Sequence, residues 1–451
     1  MTNGADRVIV LDVVGLQPHH VTDDAMPVLA DLLDDVVATR PAFPALTVPA
    51  QSTLATGTDP ETHGDVASGR YDRETDTVEF WGRDRADRRR LWETAREAGA
   101  TTGALFFQHL IGTDADVAVT PSPIEDAEND LIEMNCWTNP DEFYDDLRDE
   151  LGHFPLHNYW GPAAGVAATR WILAAAERAV DRVDPDLLWV YVPHLDYTGL
   201  AEGPGDAFEA ELSVVDDLLG EFVEARRADD RWDETTVTVV SEYGFSAVDT
   251  PVFPNRALRD AGLLSVADDG DGGEEVDLDA SSAFAMVDHQ IAHVYVDADA
   301  RATAHAALAD LDGVDAVLTA EDDALAAHPN AGEFVLVAER DAWFQYYWWA
   351  DRDDAPLYAT SVDIHRKPGF DPCELFFGEE GMASLDPTEV GGSHGRVDPE
   401  TFPLFGVGGP AAPTLPEGPI DARSVQPTIA DLLGIAGDAV PDAEAGSLLS
   451  E

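Results

Sequence analysis

Positive charge is what this chain of 451 residues most lacks: 26 Lys and Arg stand against 89 Asp and Glu, a net charge of −63. That balance excludes a general basic patch, and with it electrostatic binding to nucleic-acid polymers or to anionic membranes. Cysteine is nearly absent too, and Cys136 and Cys373 offer neither a disulfide framework nor a zinc cluster. No stretch approaches the roughly 18 apolar residues of a membrane span. The opening MTNGADRVIV has no signal-peptide pattern of a charged segment, an apolar segment and a small-residue cleavage site. A cytoplasmic protein is expected.

Disordered chains share such acidity, but 45% hydrophobic residues and 10 Trp require a packed core. The combination reads as a haloadapted surface, with carboxylates over every polar face and molar salt needed to screen their repulsion. The length suits one large α/β domain with a smaller inserted or appended subdomain.

Strand-like apolar runs at Val8–Val13, Thr102–Phe107, Leu187–Val192 and Val237–Ser241 alternate with helical patterns such as Thr169–Val183 and Phe208–Ala228. This alternation predicts a doubly wound, mostly parallel α/β sheet with helices on both faces. Ala267–Asp277 reads as a solvated acidic loop and a boundary. Residues 278–359, with FAMVDHQIAHVYV, an Ala-rich helix near Arg301–Leu311, FVLVAER and WFQYYWW, are expected to form an inserted α+β subdomain. The main domain would then comprise 1–277 and 360–451, closing with the strand FPLFGVGGP and the helix SVQPTIADLLG.

Chemistry concentrates in a few segments. Asp12 ends the first apolar run, where a charge is costly to bury unless a cation pairs with it; a strand-end cap is the plain alternative. Thr47 opens a helix in FPALTVPAQSTLATGTDPETHG, Phe43–Gly64. It reads as a helix N-cap or as a nucleophile beside a helix terminus that favours phosphate. Gly57, Pro60, His63 and Gly64 shape the turn after that helix. Asp196 and His194 follow a strand in YVPHLDYTGLAEGP, Glu242 and Tyr243 another in SEYG, and His394 lies in GGSHG. In SVDIHRKPGFDP, Asp363 and His365 adjoin Arg366 and Lys367, either contacting a substrate anion or forming structural salt bridges. His289 and His293, four apart in one apolar run, would share a sheet face as ligands, substrate contacts or core histidines. The aromatic run Trp343–Trp349 could stack a base or a sugar, or be subdomain core.

Together these segments resemble the type I phosphodiesterase/nucleotide pyrophosphatase family of the alkaline phosphatase superfamily. The resemblance implies an alkaline phosphatase-like fold, a nucleophile at Thr47 and metal ligation by Asp12, and it covers both ends of the chain. The family's "PD..GH..GP" is matched by Asp196, Gly199, Gly203 and Pro204, with Leu200 in place of the His. Its "SDHG" corresponds to Glu242 and Tyr243, and its final His ligand to His394. The family's Asn three residues after the nucleophile is Ala50 here, with Gln51 next to it.

The implied activity is metal-dependent hydrolysis of a small phosphorylated substrate, as a phosphodiesterase or nucleotide pyrophosphatase with a phosphothreonine intermediate. One cation would bind Asp12, Glu242 and Thr47, and a second Asp196 and His394. Asp363 and His365 are available to refill the depleted set. Zinc suits mixed carboxylate and imidazole ligation, with manganese the alternative. Gln51, His194, Tyr243, Arg366 and Lys367 would contact substrate. Phosphomonoesterase, phosphonate hydrolase and phosphomutase chemistry, or a degenerate protein that binds a phosphorylated metabolite without turnover, are the competing readings.

Overall fold

The strand Arg7–Val13 is buried at every position, as a near-continuous apolar run must be when both faces of a sheet are covered. The computed structural model describes residues 5–75, 77–80, 89–126, 131–270, 273–379, 381–435 and 443–449. Arg7–Val13 pairs in parallel with Leu187–Val192 on one side and Thr235–Val240 on the other. Thr102–Leu105 and Val117–Pro121 continue the parallel set beyond Leu187–Val192. Leu404–Gly408 and Cys136–Asn139 run antiparallel at its two flanks, and Leu33–Arg40 and Ile420–Asp421 complete a nine-stranded sheet. The architecture is the expected mixed α/β fold with a large, mostly parallel sheet.

Phe106 and Phe107 show how the two layers are filled. Phe106 packs with Phe154 and Trp171 on one face, and Phe107 with Trp92 and Trp189 on the other. The strand stops at Leu105, short of the expected Phe107, because Phe106 turns into a left-handed conformation at φ 62°. The helices Val166–Val183 and Asp206–Arg227 extend the expected ones by a few residues at their N-terminal ends.

A second sheet of four antiparallel strands lies within 278–359: Ala283–Asp288, Ile291–Val296, Phe334–Ala338 and Val314–Leu318, with the helix Arg301–Ala309. His289 and Gln290 form the two-residue turn of its first hairpin, Asp288 pairing with Ile291. The single continuous strand expected across His289 and His293 is thus broken. His289 takes φ 59°, which a two-residue hairpin turn demands and which no Gly or Asn announced. The acidic stretch from Ala267 is not a plain loop either. Ser265–Asp268 and Glu274–Asp277 pair as an antiparallel ribbon, with residues 271 and 272 outside the described set. The aromatic run is core rather than a stacking platform, since Trp343, Phe344, Tyr346, Tyr347, Trp348 and Trp349 are all buried. Among the described residues no helix is long and apolar enough to cross a membrane.

Candidate active site

Asp12 lies opposite Tyr191 and Val240 in the parallel register, so three strands end side by side. The loops leaving their carboxyl ends carry Asp196, Glu242 and Tyr243 to the same edge. In open α/β sheets this edge is where ligands bind.

Thr47 arrives on a helix with an uncommon composition. Thr47–Thr56 is buried at all ten positions, although small and polar residues dominate it. Its hydroxyls are satisfied from the turn that follows. Ser52 Oγ donates to Asp65, and Thr53 shares a hydrogen bond of 3.2 Å with His63 Nε2. The DPETHGD stretch thereby seats the helix, with Gly57 and Gly64 in left-handed conformations at its bends. Leu46 is the N-cap and Thr47 is the first helical residue, so its hydroxyl caps nothing. Instead Thr47 Oγ1 lies 2.9 Å from the Tyr243 hydroxyl, which donates to Asp196 Oδ1 at 3.1 Å.

His394 reaches the site because glycine lets its loop press on the helix His194–Glu202. A Cβ at Gly392 would meet the Gly199 carbonyl oxygen at 1.9 Å. The nucleophile turn is tied to that loop through its backbone, Ala45 N donating to Gly395 O. His394 Nδ1 bonds the Ala45 carbonyl at 2.9 Å, and its ring stacks on Tyr243 at 3.5 Å and 6°. His289 packs against the other side of His394 at 3.8 Å and stacks in turn on Phe370 at 4.0 Å.

The carboxylates here have no cationic side chain among their hydrogen-bond partners. Burial pushes Asp12 up to about 7 against a hydrogen bond from Trp189, and Asp196 up to about 7 against the one from Tyr243. Glu242 is raised further, by burial first and then by the charge of Asp12. Burial lowers His394 to about 3, leaving a neutral imidazole. Uncompensated burial of carboxylates, with repulsion added at Glu242, is what a bound cation relieves.

Fit to a metal divides the site in two. Among the described residues no three His, Cys, Asp or Glu side chains form a ready-made metal-holding group. Asp12 Oδ1 and Glu242 Oε2 are nonetheless buried without a hydrogen-bond partner, while Trp189 and Gln51 steady the opposite oxygens at 3.3 and 2.5 Å. This half fits one cation. In the Asp196–His394 half only His394 Nε2 is buried without a partner, and the set does not fit. Tyr243 donates to Asp196, and Leu200, in the place of a ligating His, is buried core.

Several expected contacts go elsewhere. The Gln51 amide bridges Glu242 and the Gln108 N–H. His194 turns away to Glu211 at 2.7 Å, where the next helix supplies an anion. Asp363 takes Arg366 at 2.5 Å, and His365 takes Glu125 at 3.0 Å. Lys367, the one lysine of the chain, is buried between Asp371 at 2.8 Å and Glu374 at 2.6 Å. The SVDIHRKPGFDP cluster is therefore a set of internal ion pairs, because so acidic a chain offers each cation a nearby carboxylate. His293, on the second sheet, bonds Val66 O in the turn after the nucleophile helix and accepts from Gly332 N. Trp189 was missed in the sequence, since a strand Trp carries no local signal of what it will face; His289 was among the candidates, but its place in a turn against His394 was not foreseen.

Comparison with known proteins agrees with this fold. A family model described as type I phosphodiesterase/nucleotide pyrophosphatase matches residues 8–371. No curated protein matches in sequence. Murine ectonucleotide pyrophosphatase/phosphodiesterase 5 superposes with a TM-score of 0.59 at 16% identity, 95% of each chain being covered. An inactive variant of that murine protein in complex with AMP gives 0.60 at 16% identity, and the human protein 0.57 at 15%, again over 95% of each chain. With a family model matched over most of its length, the chain belongs to the type I phosphodiesterase/nucleotide pyrophosphatase family.

Proposed function

We propose that this protein hydrolyses small phosphoric diesters or pyrophosphates, with Thr47 Oγ1 attacking phosphorus to give a phosphothreonine that water then cleaves. One observation carries the reading. The Thr47 hydroxyl, on the first residue of its helix, is held by Tyr243 at the edge where three carboxylates converge.

Asp12 and Glu242 would hold a single divalent cation, zinc or manganese, through the oxygens left without partners. Such an ion supplies Lewis-acid stabilisation of charge at the phosphoryl oxygens. The chain's own residues do the rest. Trp189 and Gln51 orient the two carboxylates, the turn through His63 and Asp65 seats the nucleophile helix, and neutral His394 presents Nε2, buried without a partner, to the site. A nucleotide phosphodiester is the proposed substrate class, supported by the AMP complex of the murine relative. We also assign the protein to a salt-rich cytoplasm, on its charge of −63.

The test is hydrolysis of bis-p-nitrophenyl phosphate in molar KCl. Chelated protein would be assayed with zinc or manganese restored, beside Thr47→Ala. Turnover restored by metal and lost by at least about 10³-fold in the variant is the expected result. Absence of turnover on diester, monoester and phosphonate substrates alike, in folded protein, would replace this reading with binding without catalysis. Ala50 and Leu200, at positions where the family carries functional side chains, favour that second reading.

A further inference from the structure

The Thr47–Tyr243–Asp196 contacts form a chain with a direction. The phenol has one proton and gives it to Asp196 Oδ1 at 3.1 Å. Its oxygen can then only accept from Thr47, 2.9 Å away on the other side. The ring is clamped so that the hydroxyl cannot swing out, stacked face to face on His394 at 3.5 Å and edge-on to Phe245 at 5.7 Å. At this same place the Asp196–His394 pair lacks the further ligand that a His at Leu200 would give, because Leu200 is apolar and buried.

We infer that Tyr243 is a catalytic residue, a fixed relay that carries the Thr47 proton to Asp196 in place of a second cation. This rests on the hydrolase reading above. As the Thr47 Oγ1–phosphorus bond forms, the Thr47 proton passes to the phenol oxygen and the phenol proton passes to Asp196. The bond from phosphorus to the leaving oxygen breaks, and its electron pair departs with the leaving group. The phenol ends unchanged and Asp196 ends as the acid. In the second step water attacks phosphorus, the Thr47–phosphorus bond breaks, and the proton returns to Thr47 by the same path. Of the two water protons, one stays on the product phosphate and the other neutralises the departed leaving group. Proton transfer by a positioned side chain typically contributes 10²–10⁴-fold to rate.

The experiment compares wild type with Tyr243→Phe, Asp196→Asn and the double variant on bis-p-nitrophenyl phosphate, with folding checked by circular dichroism. It also counts zinc or manganese per chain by elemental analysis after dialysis, adding Tyr243→His. The relay requires kcat to fall about 10²-fold or more in each single variant with KM within about twofold, and the double variant to be no slower than the worse single one. It also requires at most one cation per chain in wild type and Tyr243→Phe, with more in Tyr243→His. Wild-type kcat in folded Tyr243→Phe, additive losses in the double variant, or two cations bound by wild type would overturn the relay while leaving Thr47-dependent hydrolysis intact. Should Tyr243→Phe fail to fold, Asp196→Asn, at a partly exposed position, decides by the same kcat criterion. Absence of any Thr47-dependent turnover would instead bring down the hydrolase reading and the relay together.

Discussion

Gln51 Nε2 donates to Glu242 Oε1 at 2.5 Å, and the other end of the same amide accepts the Gln108 backbone N–H at 2.8 Å. Gln51 is one turn beyond Thr47 on the buried helix, so the segment that carries the nucleophile also sets the orientation of a carboxylate 191 positions away. Gln51→Met keeps the volume and removes both bonds. It should lower stability by about 1–3 kcal/mol and weaken cation affinity about 10–100-fold. Urea denaturation and a metal titration followed by calorimetry would measure the two effects, and unchanged affinity would separate Gln51 from the site.

Lys367 carries a different kind of risk. Burial works to lower its pKa, but the adjacent Asp371 and Glu374 outweigh burial and raise it, so the ammonium is retained. Lys367→Met would leave two buried carboxylates without a counter-charge and should cost about 3–5 kcal/mol. A drop in the urea midpoint without loss of kcat in the surviving folded fraction is the expected pattern. A loss of kcat at unchanged stability would return Lys367 to the substrate.

Acid should weaken the fold through its buried imidazoles. Burial lowers His63 and His293 from 6.5 to about 4, so the unfolded chain takes up these protons first. Their contribution is whole above about pH 6.5 and is lost as pH falls through about 4. It amounts to up to roughly 3 kcal/mol for each imidazole. Asp288, pushed up to about 7 by burial, acts in the opposite sense. The comparison is therefore wild type against His293→Gln, by urea denaturation at pH 7, 5.5 and 4.5. The wild-type advantage should shrink with each step down.

Salt should stabilise this protein. At −63 the surface repels itself, and raising KCl from 0.1 M to 1 M shortens the screening length from about 10 Å to about 3 Å. Tm should rise steadily over that range in KCl. A flat or falling Tm would mean that exposed pairs such as Arg96–Asp114 and Arg182–Asp146 already balance the surface.

Much of this was legible because buried parallel strands write themselves as unbroken apolar runs. Leu187–Val192 was read to the residue, and Asp12, Asp196 and Glu242 could be placed at one edge because each follows such a run. What stayed hidden depended on partners remote in sequence. Nothing near His194 announces Glu211 on the following helix, and nothing near Gln51 announces Glu242. The turn at His289 was hidden for a local reason: a two-residue turn without Gly or Asn looks like the middle of a strand. The charged residues around Lys367 looked like a site because cations are rare here, and that same rarity gives each one a carboxylate of its own.

The bond between His394 Nδ1 and the Ala45 carbonyl joins positions 349 apart. Contacts that distant carry a large loop-closure cost and form late in folding. During synthesis, the strand bearing Asp12 and the Thr47 helix emerge long before the glycine loop that completes their surroundings. A ribosome-bound chain would thus hold its uncompensated carboxylates and its nucleophile apart from the His394 ring until the glycine loop had been made, and the finished site would serve as a record that these distant segments had met.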